Sequence, residues 1–178
     1  RDIPADFIEG GVWKSNLRQL AQQRADEKGY DIRDIRAREV GHNDEDPDPA
    51  EITLDTMEYE AGGGTERFIS FEDPVRDLLI GFCRLRFPND PVRRELDDAA
   101  LVRELHVYGT EATFDGEGDD GKEWQHRGYG QRLVEEAERQ ALAAGYGKLS
   151  IISGIGVREY YREKLGYNQD GPYVSKRI

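Results

Sequence analysis

The spacing of hydrophobic positions changes several times along this chain, and each change marks an element. After Ser15 and Asn16, either of which can cap a helix, Leu17, Leu20, Ala21 and Arg24 recur at helical spacing until Gly29 closes the run. Ile32 to Val40 and Ile52 to Tyr59 alternate apolar with polar residues, the first imperfectly, and predict strands. The acidic, proline-bearing stretch 41–50 between them predicts a surface loop. Gly62-Gly63-Gly64 breaks the chain ahead of a strand over Arg67 to Phe71, and the more apolar run Leu78 to Phe87 predicts a central strand. Leu101 to Tyr108 predicts another. A Gly/Asp-rich loop over 113–123 leads into a helix from Arg127 to Ala144, with Leu133, Val134, Ala137, Ala141 and Ala144 along one side and Gly145 at its end. Lys148 to Ile152 predicts a short strand, Val157 to Lys164 a helix of about two turns, and Tyr173 to Arg177 a last strand. This order predicts an α/β layered domain, with no internal repeat.

Gln125-His126-Arg127-Gly128-Tyr129-Gly130 stands where strand gives way to helix. Glycines there let backbone approach a ligand without an intervening Cβ, and the amides of a helix start suit phosphate oxygens. The turn reads either as a pyrophosphate cradle or as a plain tight turn. The carboxylates of 115–121 lack the spacing of a calcium loop and read as an ordinary loop.

Composition narrows the chemistry. A chain of 178 residues has the length of one domain with a small attachment. It starts at Arg1 and holds one methionine, Met57, so it is expected to be cut from something longer. No secretion signal or spanning segment is visible. The lone Cys83 excludes an internal disulfide, a thiolate zinc cluster and an iron–sulfur site within the chain, and no metal site is expected. Lying in an apolar run, Cys83 reads as a buried strand residue rather than a nucleophile. Acidic residues number 37 against 25 basic ones, only six of them lysine, for a net charge of −12. Such a surface suits concentrated salt, where repulsion is screened within about 3 Å at 1 M. Net charge then says little about RNA; local clusters of arginine matter more.

Two motifs together resemble a family. The Gln-x-x-Gly-x-Gly turn is similar to the acetyl-CoA pyrophosphate motif of the GNAT acetyltransferases, and Tyr161-Arg-Glu-Lys-Leu-Gly166-Tyr167 to their later tyrosine and glycine–aromatic signature. Arg103-Glu-Leu-His-Val-Tyr-Gly109, Glu135-Glu-Ala-Glu138, Ile152-Ser-Gly154, Tyr160-Tyr161 and Gly171-Pro-Tyr173 resemble the acetyltransferase domain of the Elongator catalytic subunit. Arg1-Asp-Ile-Pro4, Asn16-Leu-Arg18, Arg36-Ala-Arg-Glu-Val-Gly41 and Phe82-Cys-Arg-Leu-Arg-Phe87 follow the same order, so the likeness runs through nearly the whole chain. It implies a GNAT acyl-CoA N-acyltransferase fold, a mixed central sheet flanked by helices, over 31–178, with 1–30 a lead-in and helix from an interdomain region. It further implies a cytoplasmic enzyme, with a halophilic archaeal source suggested by the composition. Acetyl-CoA and tRNA are the expected partners. A radical-SAM domain with an iron–sulfur cluster and S-adenosylmethionine is expected in the remainder of the protein, the pair modifying carbon 5 of the wobble uridine. No membrane partner is implied, and the oligomeric state is open.

Carried onto this sequence, the resemblance gives the backbone of Gly128, Tyr129, Gly130, Gln131 and Arg132, with Gln125 before them, to the pyrophosphate. It gives Glu104, Leu105, His106 and Val107 to the pantetheine arm as an added strand. Tyr161 is the expected proton donor to the leaving thiolate, whereas alone it would read as core. The run Tyr161 to Gly166 is one residue longer than in Elongator sequences, which leaves open whether Tyr160 or Tyr161 faces the thioester. His106 and Glu104 share a strand face and could polarise an attacking water, or form a satisfied polar pair. His126 reads as holding a loop or meeting RNA, and His42 as solvated. Arg36, Arg38, Arg84, Arg86, Arg158 and Arg162 are the RNA candidates, with Arg93, Arg94, Lys176 and Arg177 behind them; each could equally neutralise a carboxylate. The competing function is a lysine N-acetyltransferase with Glu104 as base, and a third reading is a binding module with a lapsed pocket.

Overall fold

The computed structural model describes residues 16–43, 45–108 and 128–178. Gln125, His126, Arg127 and the loop 113–123 lie outside the described residues, as does the segment 1–15. Two compact units divide the chain, one ending at Ala37 and the other running from Arg38 to Ile178.

The first unit holds helix α1 (Leu17–Glu27), which starts and stops where the sequence predicts. Gly29 follows it at φ +69°, a left-handed conformation that suits glycine. The strand expected over Ile32 to Val40 does not form. A one-turn helix α2 (Ile35–Arg38) and a 3-10 turn (Val40–His42) take its place. Asp34 is the reason: its Oδ1 accepts the Ala37 amide at 2.8 Å, a side-chain cap that competes with strand pairing. The Arg18 guanidinium beside it, at 2.6 Å, then the Ala37 amide, hold the Asp34 carboxyl below its ordinary value.

In the second unit, β1 (Thr53–Ala61), β2 (Gly64–Asp73), β3 (Leu78–Pro88) and β4 (Ala99–Val107) form an antiparallel meander. The β1–β2 hairpin turns on Gly62 and Gly63, both at positive φ (+52° and +71°), as a twist-matched two-residue loop requires. The helix α3 (Tyr129–Ala143) leads to β5 (Lys148–Ile151), which pairs parallel with β4. The helix α4 (Arg158–Leu165), the short β6 (Asn168–Asp170) and β7 (Tyr173–Arg177) complete a seven-stranded mixed sheet ordered β1-β2-β3-β4-β5-β7-β6. The sequence pattern had not distinguished β6, which is only a three-residue hairpin arm.

α3 packs against β2, β3, β4 and β5. Its buried stripe of Leu133, Val134, Ala137 and Ala141 meets Ile69, Phe71, Cys83, Leu85, Val102, Ile151 and Val174 in one core. Tyr161 of α4 and Tyr167 join that core, so both helices bury their apolar sides on the same cluster. Arg67 and Gln140 tie α3 to the sheet where its stripe turns polar: Arg67 Nη1 donates to Gln140 Oε1, and Gln140 Nε2 to Thr56 Oγ1. Cys83 is fully buried, as its apolar run implies, and burial pushes its thiol up to about 12.

Candidate acetyl-CoA site

Two irregularities of the sheet shape the site. In β4, Arg84 pairs with Glu104 but Leu85 with Val102, so Arg103 is an extra residue, a β-bulge. Val102, Leu105 and Val107 face the α3 core, while Glu104 and His106 project to the outer face. The sequence carried the sign of this bulge in two successive charged residues, Arg103-Glu104, interrupting apolar–polar alternation. Just beyond it β4 and β5 part company: their ladder runs from Ala99–Lys148 to Val102–Ile151, and the Ile152 amide donates to the Val102 carbonyl at 2.9 Å. Among the described residues, Glu104 to Val107 of β4 pair only with β3, which leaves their other edge open to an extended ligand.

The start of α3 sits beside that edge. Gly128 precedes the helix at φ +76°, and the first helical bond runs from the Arg132 amide to the Gly128 carbonyl. The amides of Gly130 and Gln131 therefore come before it, at the positive end of the helix dipole. A Cβ on Gly130 would lie 3.7 Å from both the Tyr160 hydroxyl and Val107 Cγ2. That single position brings together the α3 start, the open edge of β4 and α4. The Arg132 guanidinium lies 4.4 Å over the Phe71 ring, which holds its charge at the first turn.

The two tyrosines of α4 part ways. Tyr161 is 6% exposed and packs edge-on to Tyr167, whereas Tyr160 is 40% exposed and turns its hydroxyl toward Gly130. Burial, with Cys83 and Tyr160 nearby, pushes the Tyr161 phenol up to about 12, so it keeps its proton at neutral pH. Burial and then Glu135 raise Tyr160 as well. Sequence reasoning had favoured Tyr161 alone; the structure puts Tyr160 on the side of the helix start, which the helical pattern could not decide.

On the outer face, Glu104 turns to Arg84, 3.5 Å from its Nε. His106 lies between aromatic rings, 4.5 Å from Tyr108 and 6.4 Å from Phe82. Several arginines proposed for RNA are engaged by the fold. Arg38 binds Glu72 and Asp77, and Arg86 binds Glu66 and the carbonyls of Ala61 and Gly62. Arg158 donates to the Pro172 carbonyl, Arg93 pairs with Glu95, Lys176 with Glu138 and Arg177 with Asp98. Arg36, Arg94 and Arg162 are exposed and form no ion pair among the described residues.

Residues 29–167 match the model of the Acetyltransferase (GNAT) family. The chain belongs to the GNAT acetyltransferase family. A tRNA uridine(34) acetyltransferase from Methanocaldococcus infernus is 51% identical to this GNAT chain, covering all of it and 34% of the relative. Elongator complex protein 3 of Schizosaccharomyces pombe is 47% identical over 99% of the chain, and that of Homo sapiens 44% over its full length, each match taking in 33% of the relative. The structure of archaeal Methanocaldococcus infernus Elp3 with residues 1–46 deleted superposes with a TM-score of 0.83 at 50% identity, covering the whole chain and 43% of that protein. The chain thus spans about a third of the length of these curated relatives. The resemblance to the Elongator acetyltransferase domain holds from end to end, and the mixed sheet flanked by helices is the expected GNAT fold.

Among the described residues no helix is long and apolar enough to cross a membrane, and no cluster of metal-ligating side chains forms. The site's chemistry fits acetyl-CoA: backbone donors at a helix start for phosphates, an open strand edge for amides, and a protonated phenol for a leaving thiolate.

Proposed function

We propose that this chain binds acetyl-CoA and cleaves its thioester in a tRNA-dependent way, supplying the acetyl group for modification at carbon 5 of uridine 34. The observation that carries the reading is the meeting of the α3 start, the open β4 edge and α4 around Gly130. The names of the relatives supply the acceptor. The amides from Gly128 to Arg132 hold the pyrophosphate, and the backbone of Glu104 to Val107 pairs with the pantetheine arm. Tyr161 donates a proton or hydrogen bond to the departing sulfur. Tyr160, whose hydroxyl turns toward Gly130, orients the arm. His106, exposed on the outer face, and Glu104 beside it orient the acetyl group or the attacking water. The enzyme works in the cytoplasm together with a radical-SAM domain, which carries the iron–sulfur cluster and S-adenosylmethionine.

Lysine acetylation is the reading to exclude. Its base would be Glu104, and that carboxylate is already turned to Arg84, 3.5 Å from its Nε. CoA release from acetyl-CoA, followed with and without tRNA and with a lysine peptide present, separates the two. Release that requires tRNA and leaves the peptide unmodified supports the proposal; peptide acetylation indifferent to tRNA refutes it. Within the same assay Tyr161→Phe should keep acetyl-CoA affinity and slow release by about 100-fold, the usual worth of a positioned proton donor. Release at the normal rate would remove Tyr161 from the mechanism and leave Tyr160→Phe as the variant that slows.

A further inference from the structure

A concavity of about 430 Å³ opens on the outer face of the sheet, the side turned away from α3. Its size falls in the range of small-molecule sites, ~300–1,000 Å³. Its walls include Arg86 of β3, Leu101 and Arg103 of β4, Tyr173 of β7, and Asp90 and Val92 of the loop after β3. Leu101 and Arg103 flank Val102, the last β4 residue paired with β5, and Tyr173 adjoins Val174, which pairs with Ile151. With Gly62 and Gly63 of the β1–β2 turn and Pro88 to Val92 after β3 also in its walls, the pocket lies over the end of β3 and the first half of β4.

Strand register builds its charge. Tyr59, Glu66, Arg86 and Leu101 are successive cross-strand partners, one row across β1 to β4. Glu66 is 1% exposed and binds Arg103, Arg86 at 2.9 Å and the Tyr59 hydroxyl at 3.0 Å. Arg86 is spent: its Nη1 and Nη2 also donate to the Ala61 and Gly62 carbonyls. Arg103 is not. Only its Nη1 is engaged, by Glu66, and its side chain remains 44% exposed, so a guanidinium edge is presented to the pocket. Two arginines against one saturated carboxylate leave the inner wall positive. Asp90 is the carboxylate at the rim, on an exposed stretch of the loop.

We propose that this pocket takes one nucleotide of a single-stranded RNA segment. A phosphate accepts from the free edge of Arg103, and the base lies against Tyr173 and the apolar surface of Leu101 and Val92. Glu66 is a positioning residue that aims Arg103. A lysine ammonium fits poorly, because the inner wall repels it and the buried carboxylate is already held by Arg86, Arg103 and Tyr59. The inference rests on the reading that RNA is the acceptor, and names where on this chain it binds.

The test is the affinity of the wild-type chain for a fluorescein-labelled uridine heptanucleotide, read by anisotropy across a salt series, alongside Arg103→Ala and Val92→Glu. Val92 is 90% exposed, so a carboxylate there adds charge at the rim without entering the core. Each variant should bind RNA at least tenfold more weakly. Arg103→Ala should also flatten the slope of log affinity against log salt by about 0.7, one single-strand phosphate contact. Val92→Glu should leave acetyl-CoA affinity unchanged. Absence of heptanucleotide binding by the wild type, or RNA affinities within twofold of it in both variants, would overturn the pocket. If tRNA still stimulates CoA release in that case, the proposed function stands and RNA binds elsewhere. Acetylation of a lysine peptide that the heptanucleotide competes away would give the pocket to the peptide and overturn both.

Discussion

Replacing Glu66 by Gln tests whether the outer-face network holds the sheet together. Gln keeps the volume and two polar atoms of the side chain but withdraws the charge that, among the described residues, pairs with both Arg86 and Arg103. The side chains of Glu66 and Arg86 are 2% and 18% exposed, so neither is well served by water, whereas that of Arg103 at 44% can recover part of its hydration. Breaking a buried pair costs about 3–5 kcal/mol, and the half-exposed Arg103 places this case near the lower end, about 3 kcal/mol. For a chain of this length that is a melting point lower by about 6–12 °C. Urea unfolding followed by circular dichroism at neutral pH gives the free energy directly. The pH dependence supplies an independent check. Burial works to raise the Glu66 pKa, but hydrogen bonds from Arg103, Arg86 and Tyr59 outweigh it and hold the carboxyl below its ordinary value. A folded-state pKa below the unfolded one contributes stability that is present above the ordinary value of 4.5 and lost as pH falls through the folded value. The gap between wild type and Glu66→Gln should therefore be widest at neutral pH and narrow as pH falls below the ordinary value of 4.5. A loss under about 1 kcal/mol, or a gap that does not narrow in acid, would show that the network contributes little.

Three further outcomes follow from the same structure. Gly128→Asp combines a left-handed backbone at φ +76° with a carboxylate at the helix start, and should abolish acetyl-CoA binding in calorimetry; Gly128→Ala, with strain of about 1 kcal/mol but no charge, should bind more weakly yet measurably. Cys83, fully buried with its thiol pushed up to about 12, should resist a thiol reagent at pH 8 in the native chain and react at once in denaturant; fast native labelling would contradict its burial. Asp73, 0% exposed, accepts the amides of Asp48, Val75 and Arg76 and the Arg76 guanidinium, so Asp73→Asn should lose about 2–3 kcal/mol in urea unfolding as its amide nitrogen meets donors instead of acceptors.

Sequence patterning located β2 to β4, α3, β5, α4 and β7 because each buries apolar residues, and burial writes its period into the chain; β1, which buries none of its residues, showed only through its alternation. It failed over Ile32 to Val40, where alternation was weak and a local Asp34 cap won, and at Asn168–Asp170, too short to show a period. For the site, the glycine turn and α4 were legible from local spacing. The choice between Tyr160 and Tyr161 was not, since both lie on one helix and only packing against Tyr167 and Gly130 separates them.

The sequence by itself determined the layered α/β order, a glycine turn opening a long helix, a buried cysteine and the GNAT resemblance, all properties of residues near one another in the chain. Tertiary structure alone decided where β4 leaves β5, which arginines are consumed by carboxylates, and which remain available. Those depend on strand register: Tyr59, Glu66, Arg86 and Leu101 are scattered along the chain and become a single row only when four strands pair.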